Sequence, residues 1–585
     1  MTPETNIDAQ VKSWLAGDFD SDTRNELEKL AADPTQRAEL ADRFAMRLEF
    51  GTAGLRGLMG AGPNRMNRAV VVQTAFAIGV HLRAAAKADA KVEVVVGYDG
   101  RKLSRIFAED TACVLAAQGI TAHLFADLGP TPRLAFATKA IDAAAGIMVT
   151  ASHNPPEYNG YKVYWRGGAQ IIPPIDTEIA ARIEKVSAAN AIARMSLEEA
   201  RGKGLVRDVD PALEATYVTK VVAMAPVREN GREKAPLSIV VTAMHGVGDR
   251  LTTEVLKKAG FDTVFSVPEQ AQPDGNFPTV RFPNPEEKGA LDLAKKYATE
   301  RNADLILAND PDADRMAACV KARDGQGYTQ LTGNEVGVLL GHHVLTRLAR
   351  VTRPVVLASI VSSPMLGFIA RALGAHYEEV LTGFKWIANR AVELEAQGYH
   401  FVFGYEEALG YTAFDLVRDK DGVSACRLFA DLVAHLHSES RDVWSELDLL
   451  SSAYGVFMSA QHTVAFDPKI AFTAMPEAMK KLRAAPPQRI GDLAVVSVSD
   501  YEARTVTRGG KSVPLALPKS NVLSFELEGG SRVMVRPSGT EPKTKVYLDA
   551  RVEVRHEESV QDARKRAEAL IGQLKTAAPR LVQTS

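Results

Sequence analysis

The sequence predicts an α/β protein of three or four domains. Short apolar runs of strand length, such as Lys91–Val96 and Ala145–Val149, alternate with helical stretches such as Arg105–Gln118. That βαβ rhythm implies mostly parallel sheets covered by helices. At 585 residues the chain is longer than one hydrophobic core can organise. Several of the apolar runs end in loops rich in reactive side chains, where open α/β sheets place their chemistry.

In chain order, residues 7 to about 47 read as helical and charged, with Pro34 as the break between two helices. The strand–helix alternation begins at Gly51. Residues 185–203, rich in Ala, Glu, Arg and Lys, read as an exposed helical connector to a second domain. A third domain is expected near Gln330, after the charged, Gly-containing stretch Lys321–Tyr328, and a last one near Ser451. The chain closes on a helix from Ser559. Its apolar positions Val560, Ala563, Ala567, Leu570 and Leu574 form one face that should pack on the final sheet. We find no internal repeat and no low-complexity segment.

Charge and cysteine usage exclude several classes. Lys and Arg total 70 against 72 Asp and Glu, so there is no basic excess for nucleic acid or an anionic membrane. An anionic substrate must be held by local clusters of cations. Three well-separated cysteines, Cys113, Cys319 and Cys426, argue for a reducing compartment rather than a disulfide framework. The polar N-terminus has no hydrophobic signal core, and no apolar run approaches the ~20 residues of a membrane helix. A soluble, cytoplasmic protein is expected; nothing in the sequence sets its oligomeric state.

Three loops carry the chemistry. Thr150-Ala-Ser-His-Asn-Pro-Pro156 follows the apolar run Ala145–Val149, so Ser152 sits on a rigid turn at a strand end. By itself such a serine is more often a turn or capping residue. The second loop, Asp310-Pro-Asp-Ala-Asp-Arg315, follows Asp304–Ala308. Its carboxylates Asp310, Asp312 and Asp314 converge if the backbone is extended or turning, and supply hard oxygen ligands for Mg²⁺. An EF-hand is excluded, because Arg315 stands where that loop needs Gly and Lys321 where it needs Glu. An acidic surface turn is the plainer alternative, but three close carboxylates repel unless a cation offsets them. The third loop, Arg536-Pro-Ser-Gly-Thr-Glu-Pro-Lys543, joins Arg532–Val535 to Lys545–Leu548. Arg536 can fork onto a phosphate, and Ser538, Thr540 and the backbone around Gly539 can form an anion nest. Alone this loop reads as an ordinary hairpin; beside a nucleophile and a metal site, a phosphate cradle accounts for it better.

Two other patterns fail. Gly509-Gly-Lys-Ser512 ends like a P-loop, but Thr505 replaces the required earlier glycine. Gly51, Gly54 and Gly57 lack dinucleotide-fingerprint spacing, and the twelve histidines form no zinc motif.

Four loops, TASHNP at 150–155, DPDADR at 310–315, GYEEALG at 404–410 and RPSGTEPK at 536–543, stand in the order of the signature loops of the α-D-phosphohexomutase superfamily. The chain resembles that superfamily of phosphoglucomutases and phosphomannomutases over nearly its whole length. Phe50–Gly57, Thr242–Gly246 and Thr382–Lys385 add to the likeness. The Gly-Tyr-Glu-Glu form and the stretch Arg418–Val423 resemble the branch of bacterial phosphoglucomutases and animal phosphopentomutase-like enzymes.

The resemblance implies a four-domain architecture: three mixed α/β sheet domains and a C-terminal α+β domain around a central cleft. Expected bounds are a helical extension at 1–47, a phosphoserine domain at 48–215, a metal-binding domain at 216–329, a sugar-binding domain at 330–450 and a phosphate-binding domain at 451–585. It implies a phosphoglucomutase that interconverts glucose 1-phosphate and glucose 6-phosphate through phospho-Ser152 and a glucose 1,6-bisphosphate intermediate. Mg²⁺ would sit on Asp310, Asp312, Asp314 and the Ser152 group. Lys162 is the leading candidate base and His153 the second. The alternative role for Lys162 is that of a fixed phosphate-binding charge. Arg56 would help position phosphoserine or substrate. Arg315 would contact phosphoserine, or serve only as a salt bridge. Glu406 and Glu407 would accept hydrogen bonds from sugar hydroxyls, Glu406 as the direct contact, joined by Thr382, Gly383 and Lys385; a helix cap is the alternative for Thr382. Arg536, Ser538, Gly539, Thr540 and Lys543 would hold the distal phosphate. Many phosphoglucomutases carry Ser at the place of Ala408, which favours a phosphopentomutase or phosphomannomutase as the alternative. A serine-phosphoenzyme phosphatase would need neither a distal-phosphate loop nor a two-way sugar loop.

Overall fold

The computed structural model describes residues 3–49, 54–87, 90–226, 228–229, 232–233, 236–467, 470–538 and 542–582. The chain divides into two compact units. One comprises Met1–Leu331, Gly383–Phe403 and Ala408–Ser438; the other comprises Thr332–Thr382, Gly404–Glu407 and Glu439–Ser585.

The first unit opens with three α-helices rather than two: α1 (Pro3–Gly17), α2 (Ser21–Ala32) and α3 (Arg37–Ala45). The extra break falls at Asp18–Asp20. Asp18 Oδ1 accepts from Asp20 N at 3.0 Å and its Oδ2 from Thr23 Oγ1 at 2.7 Å, so a side chain competes with the helical ladder. The second break is at Pro34, as expected.

There follow β1 (Leu55–Leu58), α4 (Arg68–Ala85), β2 (Glu93–Tyr98), α5 (Ser104–Ala117), β3 (Thr121–Leu124), α6 (Thr131–Ala140), β4 (Ala145–Val149), β5 (Tyr158–Trp165) and β6 (Val206–Asp208). Asn67 starts α4 by accepting from Val70 N at 2.9 Å, as an N-cap should. The sheet order is β1-β5-β4-β2-β3-β6. Its β4-β2-β3-β6 part is parallel, but β5 runs antiparallel to both β4 and β1. The reason is local: β4 and β5 are joined by the short Thr150–Glu157 loop, and a short loop can only form a hairpin. The resulting register puts Lys162 opposite Met148 and Gly160 opposite Arg56. Residues 185–203 are helical only at Ala189–Ala191 and Leu197–Gly202. Instead of an exposed helix, Ile192 docks among Val72, Ala75 and Val114, and the Arg194 guanidinium lies 3.5 Å from the centre of the Phe19 ring.

A second sheet centres on Ser238–Thr242, parallel to Thr263–Ser266 and to Leu305–Asn309. Leu305–Asn309 then turns back antiparallel into Met316–Lys321, with Asn309 opposite Met316. The acidic loop is therefore a hairpin tip, and Ala313 within it takes a left-handed φ of 52°.

In the second unit, Pro354–Ser359 pairs in parallel with His376–Val380. The C-terminal sheet is antiparallel, with Val456–Ala465 beside Lys543–Val552 and the latter beside Arg532–Pro537. Ser559 caps the closing helix Val560–Ala577 by accepting from Asp562 N at 3.1 Å. Ala563, Ala567, Ile571 and Leu574 bury that helix against the sheet. Ile571, not Leu570, completes the deepest part of the stripe. The Gly509-Gly510 pair is a two-residue hairpin turn, with Arg508 opposite Lys511 and both glycines at positive φ. Among the described residues, no helix is long and apolar enough to cross a membrane.

Gly160 is a point of close backbone approach beside the Ser152 loop. A Cβ there would meet Thr150 O at 2.5 Å and Leu55 O at 2.7 Å, both backbone atoms of neighbouring strands. Gly160→Ala should therefore lower stability by about 2 kcal/mol or more, seen as a lower urea midpoint. An unchanged midpoint would show that β1 and β4 do not close on β5 this way.

Candidate active site

Ser152 lies one turn beyond β4, 2% exposed and with a left-handed φ of 52°. A serine held in that region is strained, and the surroundings must impose it. Thr150 Oγ1 accepts from Ser152 N at 2.9 Å. Arg101, from the turn after β2, supplies the larger constraint. Its Nη2 donates to Ser152 O at 2.6 Å and Asn154 O at 2.5 Å, and its Nη1 to Pro155 O at 2.9 Å and Tyr158 O at 3.1 Å. One buried guanidinium thus holds three carbonyls of the loop and that of Tyr158, where β5 begins. Asp99 fixes the turn by accepting from Arg101 N at 3.0 Å and Ser104 Oγ at 2.7 Å. Arg56 donates to Asn154 Oδ1 at 2.8 Å. Burial, then the neighbouring Arg315, pulls its guanidinium below its ordinary range.

Ser152 Oγ donates to Asp310 Oδ2 at 2.8 Å. Asp310, Asp312 and Asp314 are buried and bring ligand oxygens within 4.8 Å of one another. Burial, then Asp312 and Asp314, push the Asp310 carboxyl well above the usual carboxylate range. Lys162 projects from β5 between the other two, with Nζ 2.7 Å from Asp312 Oδ2 and 2.7 Å from Asp314 Oδ2. Burial alone would lower the Lys162 pKa, but Asp312 and Asp314 outweigh it and hold the amine as an ammonium. Asp314 is likewise held well below its ordinary range, its burial outweighed by Lys162, Lys420 and Arg315.

Asp312 Oδ2 also accepts from Thr131 Oγ1 at 2.6 Å. The second oxygens, Asp312 Oδ1 and Asp314 Oδ1, are buried with no hydrogen-bond partner among the described residues. Close, anionic oxygens with unused lone pairs fit a hard divalent cation such as Mg²⁺. Their seat is built by close backbone approach. A Cβ on Gly246 would stand 2.3 Å from Pro311 Cα, and one on Gly422 would stand 2.2 Å from Arg315 O. The Thr242–Gly246 and Arg418–Val423 stretches therefore brace the acidic hairpin from two sides.

His153 Nδ1 lies 3.2 Å from Ser152 Oγ. Burial, then Arg315 and Arg56, drive its pKa well down, leaving a neutral imidazole. Arg315 donates from Nη1 to Ala408 O at 2.8 Å, with Nε 3.8 Å from Asp314 and 3.9 Å from Asp310. Lys420 Nζ stands 3.2 Å from Asp314 and 3.2 Å from Asp419. Asp419 in turn accepts from Tyr164 OH at 2.7 Å and Gln170 Nε2 at 2.8 Å. Sequence reasoning missed Arg101, Asp419 and Lys420 as site residues. The Arg418–Val423 stretch had drawn notice only as a family likeness, and the Asp99-Gly-Arg101 turn after a strand was the available signal.

Gly383, at φ 114°, precedes the helix Phe384–Ala396, and Lys385 Nζ lies 3.4 Å from Asp176. Gly383 occupies the N-cap position, so Thr382 is not the helix cap. Its hydroxyl is buried without a partner among the described residues.

In the second unit, Glu407 turns inward. Its Oε2 accepts from Ser359 Oγ at 3.1 Å and Ser362 Oγ at 3.4 Å, and its N donates to Ser362 Oγ at 3.1 Å. Tyr405 OH donates to Ser363 O at 3.2 Å. Tyr547 senses both acids and Arg536: burial and Glu407 push its hydroxyl up to about 12, against the opposing Arg536 guanidinium. Ser538 N donates to Lys543 O at 2.9 Å across the base of the third loop. Gly539 and Thr540 lie outside the described residues.

Profiles of the phosphoglucomutase/phosphomannomutase family match the chain domain by domain: α/β/α domain I at residues 47–190, domain II at 215–325, domain III at 332–448 and the C-terminal domain at 474–567. A probable phosphomannomutase of Haemophilus influenzae is 42% identical over 492 residues, covering 83% of this chain and 93% of that protein. A probable phosphoribomutase of Schizosaccharomyces pombe is 38% identical over 553 residues, covering 92% of this chain and 93% of its own. The crystal structure of the Paramecium phosphoprotein parafusin, a phosphoglucomutase in its open form, superposes with a TM-score of 0.67 at 17% identity, covering 92% of this chain and 96% of that one; at that identity the likeness is one of fold. With all four domains matched in order and relatives this similar across most of its length, the chain belongs to the phosphoglucomutase/phosphomannomutase family of the α-D-phosphohexomutase superfamily.

Proposed function

We propose that this sugar-phosphate mutase is a phosphoglucomutase, moving phosphate between the 1- and 6-hydroxyls of glucose through phospho-Ser152. The observation that carries this reading is the buried Ser152 hydroxyl, held 2.8 Å from Asp310 on a loop that Arg101 fixes at three of its carbonyls and at that of Tyr158. A phosphoryl group on Ser152 Oγ passes to the free hydroxyl of the sugar monophosphate, whose proton leaves to a base. The resulting bisphosphate turns over and returns its other phosphoryl group to Ser152, restoring the enzyme. Such transfers depend on charge neutralisation and alignment more than on covalent assistance.

Asp310, Asp312 and Asp314, with the Ser152 group, would hold Mg²⁺, which when bound neutralises phosphoryl charge. Lys162 and Arg315 supply fixed positive charge beside the same carboxylates. His153 is the neutral acceptor nearest Ser152 Oγ. Lys162 becomes an acceptor only if Asp312 and Asp314 are otherwise neutralised. Arg56 orients the serine loop through Asn154. Because Ser359 and Ser362 engage Glu407, we keep Glu406 as the first sugar contact and Thr382, Gly383 and Lys385 as further candidates. Arg536, Ser538, Gly539, Thr540 and Lys543 would hold the distal phosphate. The free, buried cysteines are in keeping with a cytoplasmic site of action. A second reading, mannose or pentose phosphate as the substrate, is favoured by Ala408 and by the names of the two relatives.

Initial rates on glucose, mannose and ribose 1-phosphates under one protocol decide between these readings, with the highest kcat/KM expected for glucose. Ser152→Ala should abolish turnover on all three, and intact-protein mass should show one phosphate on active wild type and none on the variant. A variant that retains full activity would refute the phosphoserine.

Chelation should stop wild-type turnover, with Mg²⁺ restoring it. Asp312→Asn removes one anionic ligand and should raise the Mg²⁺ concentration needed for half-maximal rate. Indifference to EDTA would overturn the metal assignment.

Arg101→Met should reduce kcat far more than it changes KM, because the loop it holds carries the nucleophile rather than the sugar. Losing roughly 3 kcal/mol of charge-assisted hydrogen bonding corresponds to roughly a hundredfold in rate. An unchanged kcat would mean that the loop keeps its shape without the guanidinium.

A further inference from the structure

The N-terminal helices and the beginning of α4 line an open cleft with a cavity volume of about 560 Å³. No residue of the serine loop or the acidic hairpin lines it. Much of its wall precedes residue 47, where the match to the first family domain begins. This volume falls within the ~300–1,000 Å³ of small-molecule pockets.

The wall has a definite chemistry. Trp14 and Phe44 meet edge to face, with ring centres 6.4 Å apart, and Met46 extends the apolar surface. Arg47 brings a positive charge to that surface. Its Nη2 donates to Gln73 Oε1, and among the described residues no carboxylate forms an ion pair with it. Glu184 acts on it only as a more distant charge, and burial lowers its pKa. Arg47 Nε and Trp14 Nε1 are both buried donors without an acceptor among the described residues. Asp18, the acid on the wall, is committed elsewhere, with Oδ1 on Asp20 N and Oδ2 on Thr23 Oγ1. The wall therefore offers two buried donors without acceptors and a cation that no carboxylate pairs directly, while the Asp18 carboxylate is occupied by its own donors. A partly buried charge in that state is unfavourable unless a counter-charge arrives.

We propose that this cavity binds a small organic anion, its apolar or aromatic body against Trp14, Phe44 and Met46 and its carboxylate or phosphate on Arg47. The site is separate from the mutase chemistry and does not rest on it.

The test is a fluorescence titration of the full chain with 8-anilinonaphthalene-1-sulfonate, which joins an aromatic body to an oxyanion. Saturable binding is expected, weakened at least tenfold in Arg47→Met, which removes the charge, and in Ala45→Trp, which narrows the mouth from an exposed position. Thermal melts report whether each variant is folded; Ala45→Trp, outside the core, keeps the test valid if Arg47→Met is not. Benzoate and phenyl phosphate as competitors distinguish a carboxylate from a phosphate head, and displacement by either supports the site. Equal affinity in wild type and folded variants would overturn the proposal. So would inorganic phosphate competing as well as phenyl phosphate, since the apolar wall would then contribute nothing.

Discussion

The structure of the first unit is organised around three buried carboxylates that share one hairpin tip. Asp310, Asp312 and Asp314 bring oxygens within 4.8 Å of one another, an arrangement that is unfavourable in a low-dielectric interior unless positive charge surrounds it. Lys162, Lys420 and Arg315 provide that charge from three separate segments of the chain. The compensation is uneven. Lys162 and Lys420 gather at Asp314, while Asp310, facing Ser152, is the one driven toward its neutral form. The acid that touches the nucleophile thus has the least cationic compensation, with Arg315 Nε 3.9 Å away. Two unpartnered oxygens, one each on Asp312 and Asp314, complete a seat whose remaining demand is for a small, hard cation.

That requirement explains the backbone around the hairpin. Lysine reaches the triad because the β4–β5 hairpin sets Lys162 opposite Met148, and β5 can lie there because Gly160 lets the Thr150 and Leu55 carbonyls close in. Lys420 reaches it because Gly422 allows its segment to lie against Arg315 O, and the opposite side is sealed where Gly246 meets Pro311. At each of these three glycines a methyl group would collide with backbone rather than with a movable side chain. Close backbone approach and charge compensation are here the same design constraint.

This division accounts for what was legible in the sequence. Ser152 and the three aspartates could be read because each motif is local: an apolar run of strand length, then turn residues carrying reactive groups. The closing helix could be read because its apolar spacing is periodic, with Ser559 as its cap. Arg101 could not, since its value lies in four carbonyls more than fifty residues away in sequence, and nothing near Arg101 announces them. Lys420 and Asp419 were hidden for the same reason. The first sheet is mostly parallel, as expected, with β5 as the antiparallel strand where a short loop interrupts the βαβ rhythm. The expected helical connector at 185–203 gave way to tertiary docking of Ile192, which local propensity does not register.

The second unit shows how one buried cation can set a loop it does not belong to. Arg532 lies opposite Asp549 across the C-terminal sheet, with Nε and Nη2 at 3.1 and 2.9 Å from Asp549 Oδ2 and Nη1 at 3.1 Å from both oxygens of Glu379. Two carboxylates around one guanidinium outweigh its burial and hold it charged. Its remaining reach goes to Ser362 O at 2.8 Å, and Ser362 Oγ is the group that accepts from Glu407 N. The loop carrying Glu406 and Glu407 is therefore anchored through a serine to an ion-pair network, not to a flexible surface contact. Breaking one partner of such a network leaves a buried charge uncompensated, which costs several kcal/mol. That penalty lets the network hold a backbone position firmly. Within the Gly-Tyr-Glu-Glu stretch this network acts on the second glutamate: Ser359 and Ser362 engage Glu407, so that the loop keeps its shape.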